Sequence, residues 1–213
     1  MAIVIINPNS TASMTEAMVT AARQAAPELA FEGWTSDKGP ASIQGPEDGA
    51  AATPPLLELI TRASEQGADG IIIGCFDDTA LREAAQIARC PVVGLGQAAY
   101  HYAALRNWRF SVVTTLSVSV PVLEANIANE GLSGHLGQVR ASDVPVLALE
   151  ADPALSGEII KREALSAERE DEVQAVILGC AGMVQVVEDV RTALKITTID
   201  PVVCAARSLR WLI

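Results

Sequence analysis

The feature that most constrains how this chain folds is a rhythm. Apolar runs of four or five residues recur along its 213 residues, each followed by a turn signal and a longer helical pattern. Strands that read as unbroken apolar runs are buried on both faces, as happens in parallel sheets covered by crossover helices. The pattern predicts strands over 2–6, 29–35, 70–74, 91–94, 109–113, 137–141, 175–179 and 195–199. It predicts helices over 13–26, 53–66, 78–88, 97–106, 118–129, 153–168, 183–193 and 202–212. Ser13-Met14-Thr15-Glu16 reads as a capping box for the first helix, and Gly131 as a helix stop after 118–129.

The rhythm occurs twice. Cys75 ends the run Gly70-Ile71-Ile72-Ile73-Gly74, and Cys180, 105 residues later, ends Ala175-Val176-Ile177-Leu178-Gly179. The same offset carries Ser10 onto Thr115 and Gly96 onto Pro201. A duplicated unit with one thiol per half predicts two similar lobes facing across a cleft, a sulfur on each wall, with room between them for a small flat ring. That arrangement suits chemistry needing an acid and a base on opposite faces of one small molecule.

Charge and composition remove several alternatives. A net charge of −11 argues against nucleic acid and anionic membrane partners, whose phosphates need a basic face. No apolar stretch reaches transmembrane length. The opening Met1-Ala2-Ile3-Val4-Ile5-Ile6 has no basic leader and reads as a first strand, so a cytoplasmic, reducing location is expected. The cysteines Cys75, Cys90, Cys180 and Cys204 contain no C-x-x-C, and His101 and His135 lie near none of them, so no metal site is expected. No G-x-G-x-x-G and no Walker loop is present.

In open parallel sheets, ligands bind at the carboxyl ends of strands, where Cys75 and Cys180 fall. A following helix offers free N–H groups and a dipole that lower a thiol pKa toward neutrality. Rapid alkylation near neutral pH is therefore expected at Cys75 or Cys180, and slow alkylation at Cys90 and Cys204, which read as packing residues. Asn9 and Ser10 after the first strand, and Thr114 and Thr115 after the fifth, offer amide and hydroxyl groups to a carbonyl, though turn and capping chemistry explains them too. Asp77-Asp78 reads either as a complement to the helix dipole or, for Asp77, as an auxiliary polar group in the site. The segment 36–46, rich in Gly and Pro, is either a binding loop or a solvent loop.

Five ordered pieces resemble the hydantoin racemases of the aspartate/glutamate racemase superfamily. They are Ile6-Asn7-Pro8-Asn9-Ser10-Thr11, Gly39-Pro40-Ala41-Ser42-Ile43, Cys75-Phe76-Asp77-Asp78, Ser111-Val112-Val113-Thr114-Thr115-Leu116 and Leu178-Gly179-Cys180-Ala181-Gly182-Met183. The resemblance spans nearly the whole chain. It implies an α/β fold of two pseudo-symmetric Rossmann-like lobes, each a four-stranded parallel sheet flanked by helices, with the active site in the cleft between them. The first lobe would hold 1–96 plus a returning C-terminal helix, 202–213, and the second 97–201. The resemblance implies cofactor-independent racemisation by Cys75 and Cys180. Asn9, Ser10, Pro40, Ser42, Phe76, Asp77, Thr114, Thr115, Ala181 and Gly182 would bind a hydantoin-type ring, in a homo-oligomer.

The chain departs from that pattern in places. Glutamate racemases have His where Ala181 stands, which disfavours amino-acid substrates and favours a hydantoin-type ring. Gln44 replaces the usual Glu, and Pro46-Glu47-Asp48-Gly49 lacks the usual Tyr. Cys75-Phe76-Asp77-Asp78-Thr79 is closer to the allantoin racemases of the group. Related isomerases and decarboxylases, and a two-lobed binding protein without catalysis, remain alternatives; the decarboxylases lack one of the two cysteines.

Overall fold

The computed structural model describes residues 2–213 and contains two four-stranded parallel sheets. The first sheet is built from β1 (Ile3–Asn7), β2 (Phe31–Thr35), β3 (Gly70–Ile73) and β4 (Val92–Gly94), in the order β2-β1-β3-β4. The second repeats that order one unit later. Its strands are β5 (Phe110–Thr114), β6 (Leu136–Ala141), β7 (Ala175–Leu178) and β8 (Thr197–Ile199), ordered β6-β5-β7-β8. All pairings are parallel, with Ile3 opposite Phe31 and Gly70, and Phe110 opposite Leu136 and Ala175. The central strands β1, β3, β5 and β7 are buried at every residue, which is why they read as plain apolar runs. The outer strands β2 and β6 carry polar residues on a half-exposed surface.

The helices are α1 (Ala12–Ala25), α2 (Pro46–Glu65), α3 (Leu81–Ile87), α4 (Leu95–Leu105), α5 (Val120–Asn129), α6 (Ala148–Ala151), α7 (Pro153–Glu170), α8 (Val187–Ala193) and α9 (Pro201–Leu212). One apolar cluster runs through both sheets, joining Ile5 and Ile72 to Val112 and Ile177. At its centre Tyr100 on α4 stacks on Phe110 of β5, ring centroids 5.7 Å apart, and meets Phe76 edge-on at 5.5 Å. Helix α9 packs against α1 and α4, and Arg207 Nε donates to the Ala25 carbonyl. Gly131 sits just beyond α5 at φ 75°, as expected of a helix stop. No helix among the described residues is long and apolar enough to cross a membrane.

Three local expectations are corrected. Helix α1 starts at Ala12 with Thr11 as its N-cap and no side-chain cap, so Ser13 opens no capping box; its Oγ donates instead to Glu150 Oε2 at 2.5 Å. Helix α2 begins at Pro46 rather than 53, because Pro54 and Pro55 lie inside it instead of breaking it. Helix α3 starts at Leu81, six residues after Cys75, so the first thiol is not seated on a helix N-terminus.

The segment 74–80 between β3 and α3 is used otherwise. Asp78, held at φ 53°, points its carboxylate at the start of α4, where Oδ1 accepts from Gly96 N–H at 2.9 Å and Oδ2 from Gln97 N–H at 2.7 Å. It thus complements a helix dipole, but that of the next helix. The approach is so close that a methyl group on Gly96 would stand 2.5 Å from the Phe76 carbonyl and 2.8 Å from Asp78 Oδ2. Gly94-Leu95-Gly96 is therefore a packing device for this cap. Gly96→Ala should destabilise the protein by about 1–3 kcal/mol, the usual cost of overpacking against backbone. Urea unfolding measures it, and an unchanged midpoint would show that the 74–80 segment is not anchored on α4.

Candidate active site

In a sheet ordered 2-1-3-4, the chain leaves the first strand in one direction and later the third in the other. The crevice between their carboxyl ends is where ligands bind. Here the segments after β1 and β3 carry Asn9 and Cys75, and those after β5 and β7 carry Thr115 and Cys180. The two crevices meet in one cavity lined by Asn9, Cys75, Phe76, Asp77, Thr114, Thr115, Cys180, Ala181 and Gly182. Nine of the twelve residues singled out from the sequence thus share one site.

Ser10, Pro40 and Ser42 do not line it. Ser10 N–H donates to the Pro40 carbonyl at 2.9 Å and Thr11 Oγ1 to the Ala41 carbonyl at 2.7 Å, so this stretch ties the 36–45 loop to the turn after β1. Residues not anticipated complete the wall: Met14, Ile43, Ser119, Leu123 and Val146. Between these walls there is not the room for a flat ring that was expected. The free volume is about 30 Å³, the room of a single water molecule. The closure is held by contacts between segments far apart in sequence. Gln44 Oε1 accepts from Val146 N–H at 2.8 Å, Asn126 Nδ2 donates to the Asp77 carbonyl at 2.6 Å, and Ser13 meets Glu150. Gln44 supplies with a neutral oxygen the acceptor that a Glu would provide.

Several polar groups are spent on the frame. Asn7, fully buried, donates from Nδ2 to Asn9 Oδ1 and Thr15 Oγ1 and accepts from Asn9 N–H, which fixes the turn after β1. The Thr114 hydroxyl donates to the Gly179 carbonyl and locks β5 to β7 beside Cys180. Phe76 is buried, with its ring edge-on to Tyr100 in the core.

The two thiols differ in surroundings. Cys180 stands at the head of a 3-10 turn, Ala181–Val186, where the nearby Gly182 and Met183 N–H groups act to lower the thiol pKa. Burial outweighs them and pushes the thiol up to about 11. Cys75 is pushed well above the ordinary thiol range, first by burial and then by the Asp77 charge and hydrogen bond, with only one opposing N–H, that of Asp77. Asp77 is fixed by Thr79, whose Oγ1 donates to Oδ1 at 2.6 Å. The helix-start effect expected for both thiols is therefore real only at Cys180, and desolvation overrides it.

The Asp/Glu/Hydantoin racemase family profile matches residues 3–209, and the chain belongs to that family. A hydantoin racemase of Rhizobium meliloti is 40% identical over 206 residues, which cover 95% of this chain and 85% of that protein. Allantoin racemase from Klebsiella pneumoniae superposes with a TM-score of 0.91 at 35% identity, over 99% of this chain and 86% of that one. Allantoin racemase from Pseudomonas fluorescens gives 0.93 at 32% identity, over 99% and 89%. Within the family the chain thus groups with the hydantoin and allantoin racemases, and it is an isomerase.

Burial reverses the reactivity order expected from sequence. In the free protein near neutral pH, iodoacetamide should modify Cys90 first, because it lies outside the cavity, where burial pushes Cys75 well above the ordinary thiol range and Cys180 up to about 11. Cys180 should follow, and Cys75 should be slowest of the two in the cavity. Both cavity rates should rise with pH as thiolate accumulates. Peptide mapping of a time course tests this; fast labelling of Cys75 at pH 7 would mean that its thiolate is stabilised by something other than the groups around it here.

Proposed function

We propose that the protein racemises 5-substituted hydantoins, allantoin among them, by a two-base reaction without a cofactor. The observation that carries the reading is that Cys75 and Cys180, reached from the ends of different sheets, line one cavity.

Of the two sulfurs, Cys180 is the easier to ionise, and Asp77 beside Cys75 favours keeping that thiol protonated. In one direction, Cys180 thiolate takes the C5 proton and becomes a thiol. The C5–H electron pair moves onto the adjacent carbonyl oxygen as an enolate. Cys75 then delivers its proton to the opposite face of C5 and is left as the thiolate, which runs the reverse reaction or regains a proton from solvent as Cys180 gives its own up to solvent. A thiolate of high pKa is a strong base, and the C5–H of a hydantoin is more acidic than that of an amino acid, so no metal is needed to reach the enolate. The Met183 N–H is taken by the Cys180 carbonyl at 3.1 Å. Carbonyl recognition then falls to Asn9, Thr115 and Ser119, which line the same cavity. The ring enters once the contacts Gln44–Val146 and Ser13–Glu150 part, and their re-forming would exclude water from the enolate.

Polarimetry on both enantiomers of a 5-substituted hydantoin and of allantoin tests the activity. Racemisation should fall by about 10²–10⁴-fold or more in Cys75→Ser and in Cys180→Ser. Proton exchange with solvent should be lost for opposite enantiomers in the two variants, since each sulfur serves one face. Racemisation at the wild-type rate in either variant would refute the scheme, and tight binding with no exchange in the wild type would make the protein a binder.

A further inference from the structure

The cysteine cavity has room for about one water molecule, and a hydantoin ring needs more. One side chain of its wall is placed to give that room up. Met14, in the first turn of α1, is 2% exposed, yet it joins none of the apolar clusters of the core among the described residues. Met18, one turn further on, lies inside one of them. The neighbours of Met14 are those of the site. A methyl group on Gly182 would stand 3.7 Å from Cys180 Sγ and 3.8 Å from Met14 Cε, so the catalytic sulfur and the thioether methyl flank one point. The Met14 sulfur accepts from Asn9 Nδ2 at 3.7 Å.

That last contact is a mismatch. Asn9 Oδ1 accepts from Asn7 Nδ2 and from Thr11 N–H, both at 2.9 Å, so the amide plane is fixed and Nδ2 is aimed. Asn9 is buried, and a buried amide N–H calls for a good acceptor, which a thioether sulfur is not. A rigidly aimed donor thus rests on a weak acceptor, carried by an unbranched side chain with three rotatable bonds. We infer that Met14 stands in for a ring carbonyl of the substrate. The ring takes its place beside Cys180, the Asn9 amide exchanges sulfur for carbonyl oxygen, and the thioether swings aside. The inference rests on the racemase reading, which supplies the ring. It couples entry to recognition, because a ligand that brings no acceptor to Asn9 has nothing to offset the displacement of a buried side chain. Ser13, next to Met14, is held by Glu150, so the parting of that contact releases the same turn of α1.

Racemic 5-methylhydantoin is the probe, since turnover leaves a racemic mixture unchanged. Protein made with [methyl-13C]methionine carries four labelled methyl groups, and Met14→Leu identifies that of Met14. On titration the Met14 signal should shift, while that of Met18, in the core, should stay. Removing the side chain should favour the ring, since nothing is left to displace. The Kd should therefore fall by about threefold or more in Met14→Ala. It should not rise in Met14→Leu, which keeps the volume and lacks the sulfur. Asn9→Ala should raise it about tenfold, the loss of one hydrogen bond. If Met14→Ala does not fold, the methyl signal and Met14→Leu carry the test. A Kd that rises in Met14→Ala would make Met14 a wall that grips the ring and overturn the inference. So would a ring that binds while the Met14 methyl signal stays in place, or that binds about tenfold more weakly in Met14→Leu. Each of these leaves the racemase reading standing. A wild type that neither binds the ring nor racemises it overturns both.

Discussion

Two thiols share a cavity with room for about one water molecule, and desolvation there raises both above the range in which cysteine ionises at neutral pH. Much of the site responds to that constraint. The Gly182 and Met183 amides oppose it at Cys180, while Asp77 adds to it at Cys75. The result is two chemically similar groups held unequal, and the proposed acid–base chemistry on two faces of one carbon needs one of them charged while the other is protonated. Burial and basicity go together here: the packing that keeps the thiols protonated would also limit the access of water to a carbanion equivalent.

The frame that holds the cysteines is built from backbone contacts, and its precision comes from a few non-local bonds. Asp78 reaches from the loop after Cys75 to the first turn of α4. Tyr100 on that helix packs against Phe76, next to Cys75, and against Phe110 of the second sheet. The position of the first thiol is therefore tied to both sheets through one helix. Asn7 does the same work on the other side of β1, where it fixes the turn that presents Asn9.

The strands, their parallel pairing and the place of Cys75 and Cys180 at two equivalent strand ends were legible in the sequence for a physical reason. Strands buried on both faces must be apolar throughout, and Gly-Cys at two strand ends 105 residues apart marks equivalent places in a repeated unit. The less legible parts depend on tertiary contact. Ser13 matched a capping motif but sits inside α1 and bonds Glu150, 137 residues away. The helix expected over 53–66 begins at Pro46 and runs through Pro54 and Pro55. Asp78 was read as serving the helix that follows it in sequence, while the helix it caps starts well downstream. Pro40 and Ser42 belong to a resembling motif but do not line the cavity, and the Pro40 carbonyl ties its loop to Ser10. The thiol pKa values could not be read at all, since burial is a property of the folded chain.

The central claim is that two different groups handle the proton on the two faces of C5. Racemisation in D₂O, stopped at low conversion, tests it most directly. The account predicts that the newly formed enantiomer carries deuterium at C5 while the remaining starting enantiomer still carries hydrogen, because the group that removes the proton is not the group that returns one. Product that retains the original hydrogen, or starting enantiomer that exchanges as fast as product appears, would mean that a single base serves both faces, and would contradict it.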